Sequence, residues 1–182
     1  MVWIQRGHLA GLSSLRPRHG LNILLLWCSL GVAGLAQAAW NAAIKPDPIT
    51  RQPRCLLSSH PQSTSDGYDT TPVTLVFNGS HLLVVTQSEL DLSSNDLQLI
   101  VDKNPPLRST QINRQMILVF DQDAELLRQL RTGQQVTVYL RFWPTWPVTE
   151  AFALSFSLIG FSKAHDAFNH GCQPPGPSQP PG

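Results

Sequence analysis

Apolar residues recur at every second position in a series of short runs, and that period constrains this chain more than any other feature. A β-strand turns successive side chains to opposite faces, so a period of two buries one face and leaves the other to solvent. Val73, Leu75 and Phe77 mark such a face in Pro72 to Phe77, Asn78-Gly79-Ser80 supplies turn residues, and His81 to Thr86 follows, which predicts a hairpin. Asp96 to Asp102 alternates again until Pro105-Pro106 stops it, and Met116 to Phe120 suits a short buried strand. A further hairpin is predicted from Gln135 to Leu158, its arms Val136 to Phe142 and Val148 to Leu158 joined through Trp143-Pro144-Thr145-Trp146-Pro147.

One helix interrupts the strands. Asp121 or Asp123 can cap its start, Ala124, Leu126, Leu127 and Leu130 form an apolar stripe, and Arg128 and Arg131 fall in its last turn. Gly133 is expected to end it in the left-handed conformation. A second short helix is predicted from about Phe161 to Asn169. Many strands with one or two short helices indicate a mainly β fold, an immunoglobulin-like β-sandwich.

The N-terminus reads as an export signal. Arg6, Arg16 and Arg18 precede an apolar run from Ile23 to Ala36, Ala36-Gln37-Ala38 offers a small-residue cleavage site, and no acidic residue occurs before Asp47. Residues 1–38 are therefore expected to form a signal peptide. The alternative is an uncleaved anchor, since Leu21 to Trp40 approaches the roughly 20 residues that span a bilayer. Residues 39–54, polar and proline-containing, are expected to be a flexible N-terminal segment, 55–172 the sandwich, and 173–182 a disordered Pro-rich tail or a polyproline ligand.

Cleavage after Ala38 discards Cys28 and leaves Cys55 and Cys172, near opposite ends of the mature chain. In an oxidising compartment these two are expected to form a disulfide. Lacking the Cys-x-x-Cys spacing that lowers a thiol pKa, the pair is structural rather than redox-active.

Near the end of the chain, Leu126 to Val138 with its Leu130-Arg131-Thr132-Gly133 turn, followed by Phe156-Ser157-Leu158-Ile159-Gly160-Phe161-Ser162-Lys163-Ala164, resembles the corresponding part of the invasion-associated locus B family. The resemblance implies an exported bacterial β-sandwich in the periplasm or outside the cell, with no enzymatic activity attached to the motif. The motif itself reads as packing: Leu158 and Phe161 enter the core, Gly160 turns the strand into the helix, and Ala164 lets that helix lie close.

Chemistry-bearing patterns are few. Lys and Arg are scattered, with no basic stripe for nucleic acid. No nucleophile elbow, zinc-hydrolase motif or phosphate-cradling loop occurs, so no catalytic residue and no cofactor is assigned; a hydrolase built on a histidine is the enzymatic alternative. His165, His170 and Cys172 are spaced too loosely for a metal, and the two histidines are expected to be exposed polar groups. Asp121 with Asp123 suits a cap, Asp66 with Asp69 suits a turn, and Asn78-Gly79-Ser80 is formally a glycosylation sequon. The candidate binding residues are Trp143 and Trp146, two indoles in a proline-stiffened loop that either stack on a glycan, lipid or partner protein or fold back to cap the sandwich. Expected partners are an envelope or host protein or a glycan, with membrane contact confined to export or to the periphery.

Overall fold

The computed structural model describes residues 39–91, 93, 95–109, 111–113, 116–144 and 151–172. Within them two antiparallel sheets pack face to face as a β-sandwich, with two helices at one margin. The larger sheet holds β1 (Trp40–Pro46), β2 (Pro53–Ser59), β4 (Thr70–Phe77), β5 (His81–Thr86), β9 (Ile117–Asp121) and β8 (Gln111–Asn113) in the order β1-β2-β4-β5-β9-β8, and β3 (Gln62–Ser65) also pairs with β4. In the smaller sheet the order is β11 (Phe152–Ser157), β10 (Gln135–Leu140), β6 (Gln98–Val101) and β7 (Leu107–Arg108). Helix α1 (Ala124–Thr132) links the larger sheet to the smaller, and α2 (Phe161–Asn169) follows β11. The expected signal peptide, residues 1–38, and the Pro-rich tail, residues 173–182, lie outside the described residues. No helix among the described residues is long and apolar enough to cross a membrane.

The period of two reappears as burial. Leu57, Leu75, Leu82, Val84 and Leu118 of the larger sheet face Leu99, Val101, Val136, Val138 and Leu140 of the smaller, all fully buried. Alternate positions on β4, β5 and β9, Val76, Leu83 and Val119, lie directly opposite one another on the other face. With Leu56 and Ile117 they form a second, smaller buried cluster. Phe77 ends β4, and Gly79, at φ +95°, makes the expected turn into β5.

One expectation fails at the first strand. Residues 39–54 are not a flexible segment: β1 pairs with β2 along its whole length, from Trp40 opposite Ser59 to Pro46 opposite Pro53. The sandwich thus begins at residue 40 rather than 55. Trp40 is 2% exposed, its indole Nε1 donates to the carbonyl of Ser157 at 2.8 Å, and its ring meets Phe161 edge-on with centroids 4.9 Å apart. A single aromatic anchor thereby brings β1 into the core, despite the polar and proline-rich composition around it.

Asp47 fixes the turn that follows. Its side chain is fully buried, and its carboxylate accepts from the amides of Ile49 (2.8 Å) and Thr50 (3.0 Å) and from Nδ2 of Asn78 (3.2 Å), with the Arg54 guanidinium 3.6 Å away. Burial alone would raise its pKa, but the Thr50 and Ile49 amides, the Asn78 amide and the Arg54 charge outweigh it and hold the carboxyl below its ordinary 3.8.

Asp123 caps α1 by accepting from the Leu126 amide, as anticipated, and Leu126 and Leu130 face the core. Gly133 departs from expectation, being extended at φ −75°, ψ 168° rather than left-handed. Space explains why a glycine suits the position: a Cβ there would lie 2.7 Å from the Gln129 carbonyl oxygen, 2.8 Å from Val101 Cγ1 and 2.9 Å from Asp102 Oδ2. Gly160 is the left-handed glycine, at φ +88°, turning the chain into α2. Leu158, Phe161 and Ala164 are buried as the motif implies.

Cys55 on β2 and Cys172 after α2 are disulfide-bonded, with Cα atoms 5.6 Å apart.

Two substitutions test this framework. Gly133→Ala forces a backbone carbonyl to shift, and chemical denaturation should show a loss of about 1–3 kcal/mol. Asp47→Asn should cost about 2 kcal/mol at neutral pH. Because the folded pKa is depressed, the Asp47 contribution is fully present above pH 3.8 and is lost as pH falls through the lower folded value. The stability difference between wild type and Asp47→Asn should therefore shrink progressively in acid.

Candidate binding site

Strand β10 ends at Leu140, and the chain beyond it stays pinned to the segment before β6. Asp91 donates its amide to the Arg141 carbonyl at 2.8 Å, Leu90 and Phe142 form an isolated bridge, and the Trp143 amide donates to the Glu89 carbonyl at 2.8 Å. The Arg141 guanidinium bonds the Asp96 carboxylate. The pleat continues through this stretch. Phe142 points inward at 2% exposure and packs on Phe152, while Trp143, one residue on, is 58% exposed. Trp143 therefore does not fold back over the sandwich. Trp146, the other candidate binding residue, lies with residues 145–150 outside the described part.

At the other end of β10 an open polar groove of about 610 Å³ is lined by Asp102, Lys103, Asn104, Gln134, Gln135 and Thr137. Asp102 does not offer a free carboxylate there. Its oxygens accept from the amides of Gln134 and Gln135 at 3.0–3.2 Å and so close the turn between α1 and β10.

The other candidate groups are dispersed. His81 is 3.5 Å from Asp121 at the surface. His170 is exposed, as expected, and His165 is not: it is 5% exposed. Its place on α2 explains this, because Phe161, Ala164, His165 and Phe168 share one helical face, and that stripe could have been read from the sequence. Cys172 is bound to Cys55, so His165, His170 and Cys172 do not form a ligand set. Among the described residues no three His, Cys, Asp or Glu side chains converge on a common point.

Two polar patterns resolve as turns. Asp66 accepts from the amides of Tyr68 and Asp69, and its second oxygen accepts from the Ser88 hydroxyl at 2.6 Å. Asn78 of the formal sequon is buried, with Oδ1 accepting from the Ser80 and His81 amides and Nδ2 donating to Asp47. Its amide is already occupied in closing the β4–β5 turn.

No family model matches the chain, and no curated protein is significantly similar to it. Among solved structures it is similar to invasion associated protein b from Bartonella henselae, at 17% sequence identity over 73% of this chain and 93% of that one, with a TM-score of 0.49. The assignment as a β-sandwich stands on the two sheets themselves.

Proposed function

We propose that this protein is an exported, non-enzymatic binding module of the cell envelope, and that it holds a glycan against the Trp143 indole. The observation that carries the proposal is the contrast within two adjacent residues: Phe142 is locked in the core, and Trp143 is held on the same pinned backbone with more than half its surface in solvent. An indole presented in this way offers a flat apolar face with little conformational entropy to lose, which suits stacking against the C–H face of a sugar ring. Export is supported by the disulfide between the two cysteines downstream of residue 38 and by the basic and apolar N-terminal sequence. A bacterial envelope setting is what the resemblance to the invasion-associated locus B family implies.

Intact-mass analysis of the protein recovered from the native envelope fraction should give a chain beginning at Ala39, with two thiols appearing only after reduction. A mass retaining residues 1–38, or two free thiols without reduction, would overturn the export assignment.

For the site, tryptophan fluorescence of the purified protein should shift on titration with envelope glycans. Trp143→Ala should weaken binding at least tenfold, about 1.4 kcal/mol, with the midpoint of thermal unfolding unchanged. Equal affinity in Trp143→Ala would remove the site. A response confined to lipid vesicles or to a protein fraction would replace the glycan with that partner.

A further inference from the structure

Helix α2 meets α1 through a polar contact centred on His165. The Arg131 guanidinium donates to imidazole Nδ1 at 2.8 Å, and Nδ2 of Asn169 approaches the same nitrogen at 3.3 Å. Two donors converging on Nδ1 require its lone pair, so the ring is neutral with its proton on Nε2. Around it are aromatic rings: Phe161 at 5.9 Å and Phe168 at 6.1 Å lie stacked with it, and Phe77 of β4 is tilted at 5.6 Å. Two further bonds hold the helices together: Ser162 donates to the Arg131 carbonyl at 2.8 Å, and Arg131 pairs with Asp166 at 3.1 Å.

We infer that His165 is an acid-sensitive latch, which keeps the last turns of α2 docked on α1 and β4 when neutral and releases them when protonated. A second ring proton would sit on Nδ1, where it meets the Arg131 and Asn169 donors head-on, so both bonds are lost at once. Of the charged groups that act on the ring, Arg131 from α1 repels the imidazolium, and Asp166 on α2 attracts it. The faces contributed by β4 and by the rest of α2 are the aromatic rings of Phe77, Phe161 and Phe168. Burial and the Arg131 charge outweigh Asp166, whose side chain is 58% exposed and screened, and hold the His165 pKa below its ordinary 6.5.

The direction of the pH effect follows. Above 6.5 docked and undocked forms are both neutral at His165, and docking has its full strength. As pH falls through 6.5 the undocked ring takes up a proton before the docked one does, so docking weakens toward the lower pKa of the docked state. Opening is confined to the end of the helix. Phe161 remains fully buried beside Trp40 at one end, and Cys172 stays bonded to Cys55 at the other. The latch thus uncovers the Phe77 and Phe168 rings without separating the chain.

Amide hydrogen exchange of the full oxidised chain tests this at about pH 7.5 and about pH 5, a window in which histidine titrates. After correction for the intrinsic pH dependence of exchange, amides from His165 to Gly171 should exchange at least fivefold faster at the lower pH, while those of β4 and β5 stay unchanged. His165→Gln retains an acceptor for Arg131 but does not titrate, and should remove the difference. Proton NMR titration of the wild-type His165 ring, which needs no variant, should give a midpoint below 6.5 that coincides with the onset of fast exchange. Equal protection at both pH values, a difference that persists in His165→Gln, or a ring midpoint above 6.5 would overturn the latch.

Discussion

The bond between Cys55 and Cys172 is the constraint on which the rest of the arrangement depends. It joins positions 117 residues apart, the second strand of the larger sheet to the segment just after the last helix. Closing a loop of that length removes unfolded-state freedom equivalent to about 4–5 kcal/mol in the chain-entropy model. Many strands of this sandwich have only two to six residues, so the pairing of any one of them contributes modestly. The crosslink makes α2 part of the larger sheet's surroundings, and α2 in turn supplies Phe161 to Trp40 and Phe168 to the β4–β5 turn.

The same end of the molecule gathers the polar anchors. Asp47 from the β1–β2 turn, Asn78 from the β4–β5 turn and Arg54 from the start of β2 share one buried carboxylate, and the Phe168 ring sits so close to Gly79 that a Cβ there would lie 3.3 Å from it. A buried charge is tolerable only when donors surround it. Asp47 meets that condition with two backbone amides and one side-chain amide, and so ties together the turns that flank the paired strands β2 and β4. The Trp143 end is held differently, by the Trp143 amide donating to the Glu89 carbonyl, the Asp91 amide donating to the Arg141 carbonyl, and the inward Phe142.

What could be read from the sequence was whatever repeats along it. The alternation in β4, β5, β6, β9 and β10, and the stripe and acidic cap of α1, each depend on neighbours two to four residues away, and all five strands and both helices lie where the pattern puts them. The two cysteines were legible by arithmetic, once the segment before residue 39 was set aside. What was not legible depends on partners distant in sequence. β1 is a strand because Trp40 finds Phe161 and the Ser157 carbonyl, more than a hundred residues away, and local composition argued the reverse. Gly133 is constrained by Val101 and Asp102 across the sheet rather than by its own backbone angles. His165 is polar by residue type, but its helical position between Phe161 and Phe168 puts it on the buried face.

Phe142 and Trp143 show how one rule serves both stability and recognition. The pleat that sends Phe142 into the core sends its neighbour outward, so the direction of the outward group is set by the burial of the inward one. The two backbone bonds that pin this stretch use main-chain atoms of Arg141 and Trp143 and not the indole. The indole adds exposed apolar area, a cost in solubility. Under the proposed binding role, an aromatic surface carried on a backbone pinned by main-chain bonds is what a contact residue requires.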